Sequence, residues 1–255
     1  MDADVAQRLI ALNQAFYQKL ASPFSATRSQ VQPGVKRVLG DVPAGAAILD
    51  LGCGNGSVAR ELEKRGHTGK YIGMDFSEEM LEEARKNVPR PTSHVEFAQA
   101  DLTAADWNLK SPLSNLHFDF IFAFAVLHHI PSREIRLGFL RQVRELLASP
   151  TAGGSETRPY IIGRFVHSNW QFLNSPKLKA RIQAWDEIGL AESQVDDGDY
   201  LVDWRSGGTG LRYVHHFDAV ELAELAREPG FDVVDQFVSD GKTENLALYQ
   251  TWVKI

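Results

Sequence analysis

The stretch Ala46-Ala47-Ile48-Leu49-Asp50-Leu51-Gly52-Cys53-Gly54-Asn55-Gly56 decides how this chain folds. The apolar run Ala47-Ile48-Leu49 reads as a buried strand, and the glycines at alternate positions let the backbone turn sharply and bring a ligand against the main chain. A nucleotide-like ligand is expected there. The dinucleotide-binding turn G-x-G-x-x-G needs a glycine where Ser57 stands, which weakens that reading. Asp50 sits just before the turn, where it would repel a pyrophosphate and attract an aminium group. The expected ligand therefore carries positive charge.

Further along, Lys70-Tyr71-Ile72-Gly73-Met74-Asp75 reads as a second strand ending in a carboxylate that can accept both hydroxyls of a ribose. A third run, His94-Val95-Glu96-Phe97-Ala98, leads to Asp101, placed to meet an adenine amino group. Three strand ends thus supply one adenosine-shaped site. The motifs DLGCGNG, GMDFS, QADL and FDFIFAFAVLHHI, spread over residues 46–165, resemble the successive motifs of class I S-adenosylmethionine-dependent methyltransferases. That resemblance implies S-adenosyl-L-methionine as cofactor, with Gly52, Gly54 and Gly56 approaching its amino-acid portion beside Asp50 and Cys53. Asp75 would hold the ribose, with Phe76 and Met80 in the same site. Asp101 and Leu102 would flank the adenine, and Ala125 would lie near the transferred methyl.

Hydrophobic period alternates between strand-like and helix-like segments, as in an α/β doubly wound sheet. The resemblance sharpens this to a Rossmann-like methyltransferase: a seven-stranded, mostly parallel sheet with an antiparallel C-terminal strand. Strands are expected to end near 50, 75, 98 and 125, with a fifth near 159–165. Helices are expected near 57–65, 77–87, 132–148 and 218–228. Ser77 is a good N-cap for the second of these. The runs near 231–238 and 245–253 should form a hairpin around Ser239-Asp240-Gly241-Lys242. Residues 1–45 form an N-terminal helical lid and linker, and residues 46–255 the methyltransferase domain, with a substrate-side insertion over about 166–212.

With 255 residues, 28.4 kDa and 44% hydrophobic residues, the chain can bury one sizeable core. It contains no run of about 18 apolar residues, and its first residues, MDADVAQRL, lack the order of a signal peptide. A soluble, cytoplasmic protein that neither enters a membrane nor binds DNA is expected. The net charge of −6 argues against a surface that grips nucleic acid throughout, and Arg133, Arg141 and Arg144 on one helix side read as a solvated face. The single cysteine, Cys53, excludes an internal disulfide framework and reads as packing in the glycine loop.

The acceptor must be chosen outside the shared cofactor fold. Residues 3–21 form an amphipathic helix through Val5, Leu9, Leu12, Phe16 and Leu20, able to close over the site with Tyr17 and, beyond it, Phe24 facing substrate. The insertion is expected to form two short helices with a mobile loop at Gly207-Gly208-Thr209-Gly210. Of the doublet His128-His129, one ring, assigned as His128, is expected to face the acceptor. Of His215-His216 at most one can, taken as His215, because neighbours along a strand point to opposite faces. No spacing completes a metal site.

The segments FSATR, AVLHHIPSREIRLGFLRQV, YLVDW and RYVHHFDAVELAEL are similar to parts of the methyltransferases that esterify a carboxymethyl group on a tRNA wobble uridine. That resemblance implies Arg28 and Arg212 orienting a carboxylate, Trp204 and Tyr213 packing on the base, and a small activating protein subunit. A small-molecule acceptor, or a cofactor-binding partner subunit without catalysis, is the alternative. The expected chemistry is in-line displacement at the sulfonium methyl carbon.

Overall fold

The computed structural model describes residues 1–26, 30–88, 94–109, 113, 116–149 and 162–255, apart from the side chains of residues 21–26. Its centre is a seven-stranded sheet in the order β3-β2-β1-β4-β5-β10-β9. Five strands run parallel: β1 (Ile48–Leu51), β2 (Tyr71–Asp75), β3 (Val95–Gln99), β4 (Phe120–Phe124) and β5 (Arg164–Trp170). The hairpin of β9 (Phe231–Ser239) and β10 (Ala247–Lys254) closes one edge, with β10 antiparallel to both neighbours. Alternate residues feed two cores, as the twofold repeat of a strand requires. Leu49, Ile72, Ile121 and Phe165 pack with α5 (Arg133–Leu146) and α7 (Ala219–Arg227) on one face. Ile48, Tyr71, Phe122 and Val166 pack with α2 (Pro33–Gly40) and α3 (Ser57–Lys64) on the other. Ser77 caps α4 (Glu78–Asn87) by accepting the Met80 N–H.

Strand β5 begins at Arg164, later than the 159–165 expected from the sequence; residues 159–161 lie outside those described. Pairing of Phe120 with Arg164 and of Phe124 with Ser168 sets the register. The polar run His167-Ser168-Asn169 conceals this strand in the sequence, although all three side chains are buried.

The insertion also departs from expectation. Apart from the one-turn helix α6 (Pro176–Lys179) and short 3-10 turns, it forms an antiparallel sheet of β6 (Ile182–Gln183), β7 (Asp199–Trp204) and β8 (Gly210–His215). The glycine-rich stretch is the β7–β8 turn, with Gly207 at φ 70° and Gly208 at φ 154°, a region that glycine enters without strain. Helix α1 (Ala3–Ala26) runs past its expected end at 21 and departs from helical geometry at Leu20. Its residues Val5 and Leu9 pack on Leu201 and Tyr213 of this small sheet. A Cβ on Gly210 would stand 2.9 Å from the Phe16 ring, so the glycine permits the close approach of α1.

One buried ionic network fastens the small sheet to the core. Arg136 of α5, 2% exposed, donates to the Ile130 carbonyl at 2.9 Å and to the Tyr213 hydroxyl at 2.9 Å. Its guanidinium also lies 3.6 Å from Asp199 and 3.8 Å from Glu221. Asp199 accepts the Tyr213 O–H at 2.7 Å and faces His215 Nδ1 at 2.6 Å, while His215 Nε2 faces Glu221 at 2.9 Å. Removing one partner from such a set leaves a buried charge uncompensated. Arg136→Ala is therefore expected to destabilise the protein by about 3–5 kcal/mol in urea unfolding.

Candidate active site

A cavity of about 500 Å3 opens at the C-terminal ends of the parallel strands, the edge where open α/β sheets bind ligands. The glycine turn forms its floor. Gly52, at φ 71°, donates its N–H to the Met74 carbonyl at 2.7 Å, and a Cβ there would stand 2.4 Å from Val126 Cγ2. Gly54, at φ 54°, faces open space and donates to Asp75 Oδ2 at 2.8 Å. Asp75 Oδ1 accepts the Ser77 N–H at 3.0 Å, so the carboxylate is fixed with lone pairs to spare. Gly56 lies behind the wall as the N-cap of α3. Phe76, Met80, Asp101, Leu102 and Ala125 all line the cavity.

Two carboxyl groups in this half are shifted upward. Burial pushes Asp50 up to about 7, opposed by the Tyr71 hydroxyl that donates to it at 2.6 Å and reinforced by the charge of Asp75. Burial also raises Asp75, against the pull of its backbone N–H donors. The Cys53 thiol is pushed up by the same desolvation, which keeps it protonated and inert. These residues fit a cofactor with a ribose, a cationic amino-acid end and an adenine: the carboxylates are held in place, and the glycine loop leaves the cavity open where side chains would fill it.

Opposite stands the acceptor side. Ala125 adopts φ 58° at the end of β4 and donates its N–H to the Ser168 carbonyl at 3.0 Å and hydroxyl at 3.1 Å. His128 Nδ1 accepts the Trp170 N–H at 3.3 Å. His129 Nδ1 lies 3.1 Å from the Tyr213 carbonyl, which can only accept, so this nitrogen carries the proton. His129 Nε2 then accepts the Tyr17 hydroxyl at 2.7 Å. Arg212 enters from β8 and is 4% exposed. Its guanidinium carbon lies 4.8 Å from the Trp170 ring, 5.4 Å from Phe16 and 5.5 Å from Trp204. Arg212 Nε is buried without a hydrogen-bond partner, and no carboxylate among the described residues pairs with this side chain.

Tyr17, His128 and Arg212 thus meet at one cavity, whereas Tyr213 and His215 do not. Their side chains are consumed by the Arg136 network; alternation along β8 sends them to the face opposite Arg212. Trp204 is set back from the wall, packing on Met80 and Tyr17. Arg28 and the Phe24 side chain lie outside the described residues. Among the described residues no three His, Cys, Asp or Glu side chains gather where a metal could be held, and no helix is long and apolar enough to cross a membrane. Sequence reasoning passed over Gln14, whose amide donates to Asp101 Oδ2 at 3.0 Å, and Asn13, which exchanges hydrogen bonds of 2.8 and 3.1 Å with the Tyr213 backbone. Their polar positions on an amphipathic helix were the available signal.

The raised Asp50 has a consequence for the cofactor-free protein. Between the ordinary carboxylate range and about pH 7 the folded chain keeps this proton while the unfolded chain has lost it, so stability falls as pH rises through that window. Urea unfolding is expected to register a loss approaching about 4 kcal/mol across it, with a flatter profile in Asp50→Asn.

The methyltransferase domain family matches residues 48–149. The chain is 38% identical to the trans-aconitate 2-methyltransferase of Azoarcus sp. (strain BH72) over 228 residues, 77% of this chain and 82% of that protein. It is 34% identical over 136 residues to the tRNA (carboxymethyluridine(34)-5-O)-methyltransferase of Saccharomyces cerevisiae, covering 50% of this chain and 40% of that one. Its fold matches the magnesium protoporphyrin IX methyltransferase of Synechocystis PCC 6803 with bound SAH at a TM-score of 0.54 and 19% identity, over 87% of this chain and 82% of that one. With its glycine turn, three strand-end carboxylates and seven-stranded sheet, this chain belongs to the class I S-adenosylmethionine-dependent methyltransferases and takes S-adenosylmethionine as its cofactor.

Proposed function

We propose that this methyltransferase esterifies a carboxylate. The observation that carries the reading is Arg212: a buried guanidinium in the cavity wall, enclosed by aromatic rings and paired with no acid among the described residues. Leaving a cation so placed without a counter-ion is costly, and an acceptor carboxylate removes the cost through charge-assisted hydrogen bonds. The Azoarcus and yeast relatives are both named for acceptors that carry carboxyl groups. The carboxymethyl group of a tRNA wobble uridine is one form of such an acceptor, to which the activating subunit would belong; a small free acid is the other.

The cofactor supplies an electrophilic methyl group on a sulfonium. Asp75 accepts the ribose hydroxyls, Asp101 receives the adenine amino group and Asp50 faces the cationic amino-acid end. Arg212 holds the acceptor so that one carboxylate oxygen lies in line with the methyl carbon, and such positioning contributes up to about 7–11 kcal/mol. A carboxylate is already ionised at neutral pH, so His128 and His129 shape the acceptor side without taking a proton.

Asp75→Ala is expected to weaken S-adenosylmethionine binding by about 10- to 100-fold in calorimetry, the loss of hydrogen bonds to a charged group. Arg212→Gln is expected to lower kcat/KM for the acceptor by about 100-fold or more while cofactor affinity stays within about twofold. Transfer of labelled methyl to cell-extract fractions, followed by mild alkali, tests the ester itself.

A further inference from the structure

We propose that the acceptor is a free monocarboxylic acid with an apolar body, small enough to be enclosed beside the cofactor. This rests on the esterification reading and narrows it. Three observations point the same way: the charge of the cavity wall, its largely apolar side and its roof.

Among the described residues that line the cavity, Arg212 is the only lysine or arginine, while four aspartates share the wall. Asp50, Asp75 and Asp101 stand at the strand ends of the cofactor half. The fourth, Asp240, lies beyond them at the β9–β10 turn, where it accepts the Gly34 N–H at 2.9 Å and the Tyr249 hydroxyl at 2.6 Å. One carboxylate can therefore be matched by Arg212. A second would find no further lysine or arginine among the described lining residues, and would lose its hydration beside carboxyl groups.

The side wall leading away from Arg212 is largely apolar, interrupted by Ser168 and by Asp240 at its far end. The Trp170 ring, 4.8 Å from the guanidinium, sits in β5 beside Ala247 of β10. Ser168, two residues earlier, pairs with Tyr249 and with Phe124 of β4, whose ring lies 6.2 Å from that of Tyr249. Leu246 and, from α2, Val35 complete this strip. An aliphatic or aromatic body laid along it gains by burial in proportion to its area.

The roof is α1, fastened by Gln14 to Asp101, by Tyr17 to His129 and by Asn13 to the Tyr213 backbone. Beneath it, the 500 Å3 cavity must take donor and acceptor together. A nucleotide within RNA would carry its phosphates past this roof along a wall that offers no second lysine or arginine among the described residues, although phosphate neutralisation supplies most nonspecific RNA affinity. A free acid needs no such track.

The step balances without further reagents. A carboxylate oxygen lone pair forms the new C–O bond to the methyl carbon, the C–S bond breaks, and its electron pair stays on sulfur. Sulfonium and carboxylate become neutral thioether and neutral ester, with no proton moved.

The test incubates the whole protein and labelled S-adenosylmethionine with three sets of acceptors: straight-chain and aryl monocarboxylic acids, matched di- and tricarboxylic acids, and total tRNA. Expected is alkali-labile label in the monocarboxylic acids, with kcat/KM rising with apolar length and exceeding that of the matched dicarboxylic acid by on the order of 100-fold. Ala247→Phe, checked for unchanged melting temperature and S-adenosylhomocysteine binding, should cut the longer acids selectively; should it fail to fold, the chain-length series alone carries the test. Alkali-labile label confined to polycarboxylic acids or to tRNA overturns the monocarboxylic assignment and leaves esterification standing. Alkali-stable label, as on an amine, overturns esterification as well. Absence of label from every monocarboxylic acid also overturns the proposal.

Discussion

The acceptor side of this molecule depends on the buried charge of Arg136. Strands β7 and β8 hydrogen-bond with one another and with the two-residue strand β6, and their Val202 and Val214 pack against Trp170 at the end of β5. Arg136, reaching out of α5, adds a directional ionic connection by drawing in Asp199 and Tyr213. Tyr213 then works at both ends: its hydroxyl is fixed by the network, and its backbone holds Asn13 and His129. Its neighbour Arg212 consequently arrives at the cavity from a strand whose orientation is set on the opposite face. A buried ionic set of this kind is a weak source of net stability but a demanding geometric constraint, and here geometry is what the site requires.

The cofactor half follows a different logic. Its carboxylates lie in the core sheet, where desolvation opposes their charge and raises both Asp50 and Asp75. The fold tolerates this through local donors: Tyr71 on Asp50, and the N–H groups of Gly54 and Ser77 on Asp75. A cationic ligand compensates what these donors leave. The acceptor half reverses the sign, with a buried cation and no acid among the described residues beside it. Opposite charges across one cavity suit a reaction in which sulfonium and carboxylate neutralise one another.

How much of this was readable from residues alone depended on distance along the chain. The glycine turn, the strand-end acids and the first four core strands along the chain are local or strongly patterned, and they read directly. Strand β5 did not, because His167, Ser168 and Asn169 look like loop residues until their neighbours bury them. The β7–β8 sheet was hidden by Asp199, Asp203 and Arg212, which break an apolar alternation, and by glycines that signal a loose loop as readily as a tight turn. His215 was placed at the site because alternation gives two faces without saying which is buried. Arg136 carried no mark at all: its partners come from β7, β8 and α7, and only tertiary structure assembles them.

The division between sheet and appended hairpin bears on how such enzymes diversify. Arg212 rides on a turn-linked pair of strands from which, among the described residues, it alone lines the cavity, and Gly210 lets α1 lie directly against that pair. Insertions or substitutions there can redraw the acceptor pocket while the nucleoside end of the cavity keeps its shape. An ancestral scaffold carrying one donor could in this way acquire new clients by exchanging a module of a few dozen residues, with the sheet inherited unchanged.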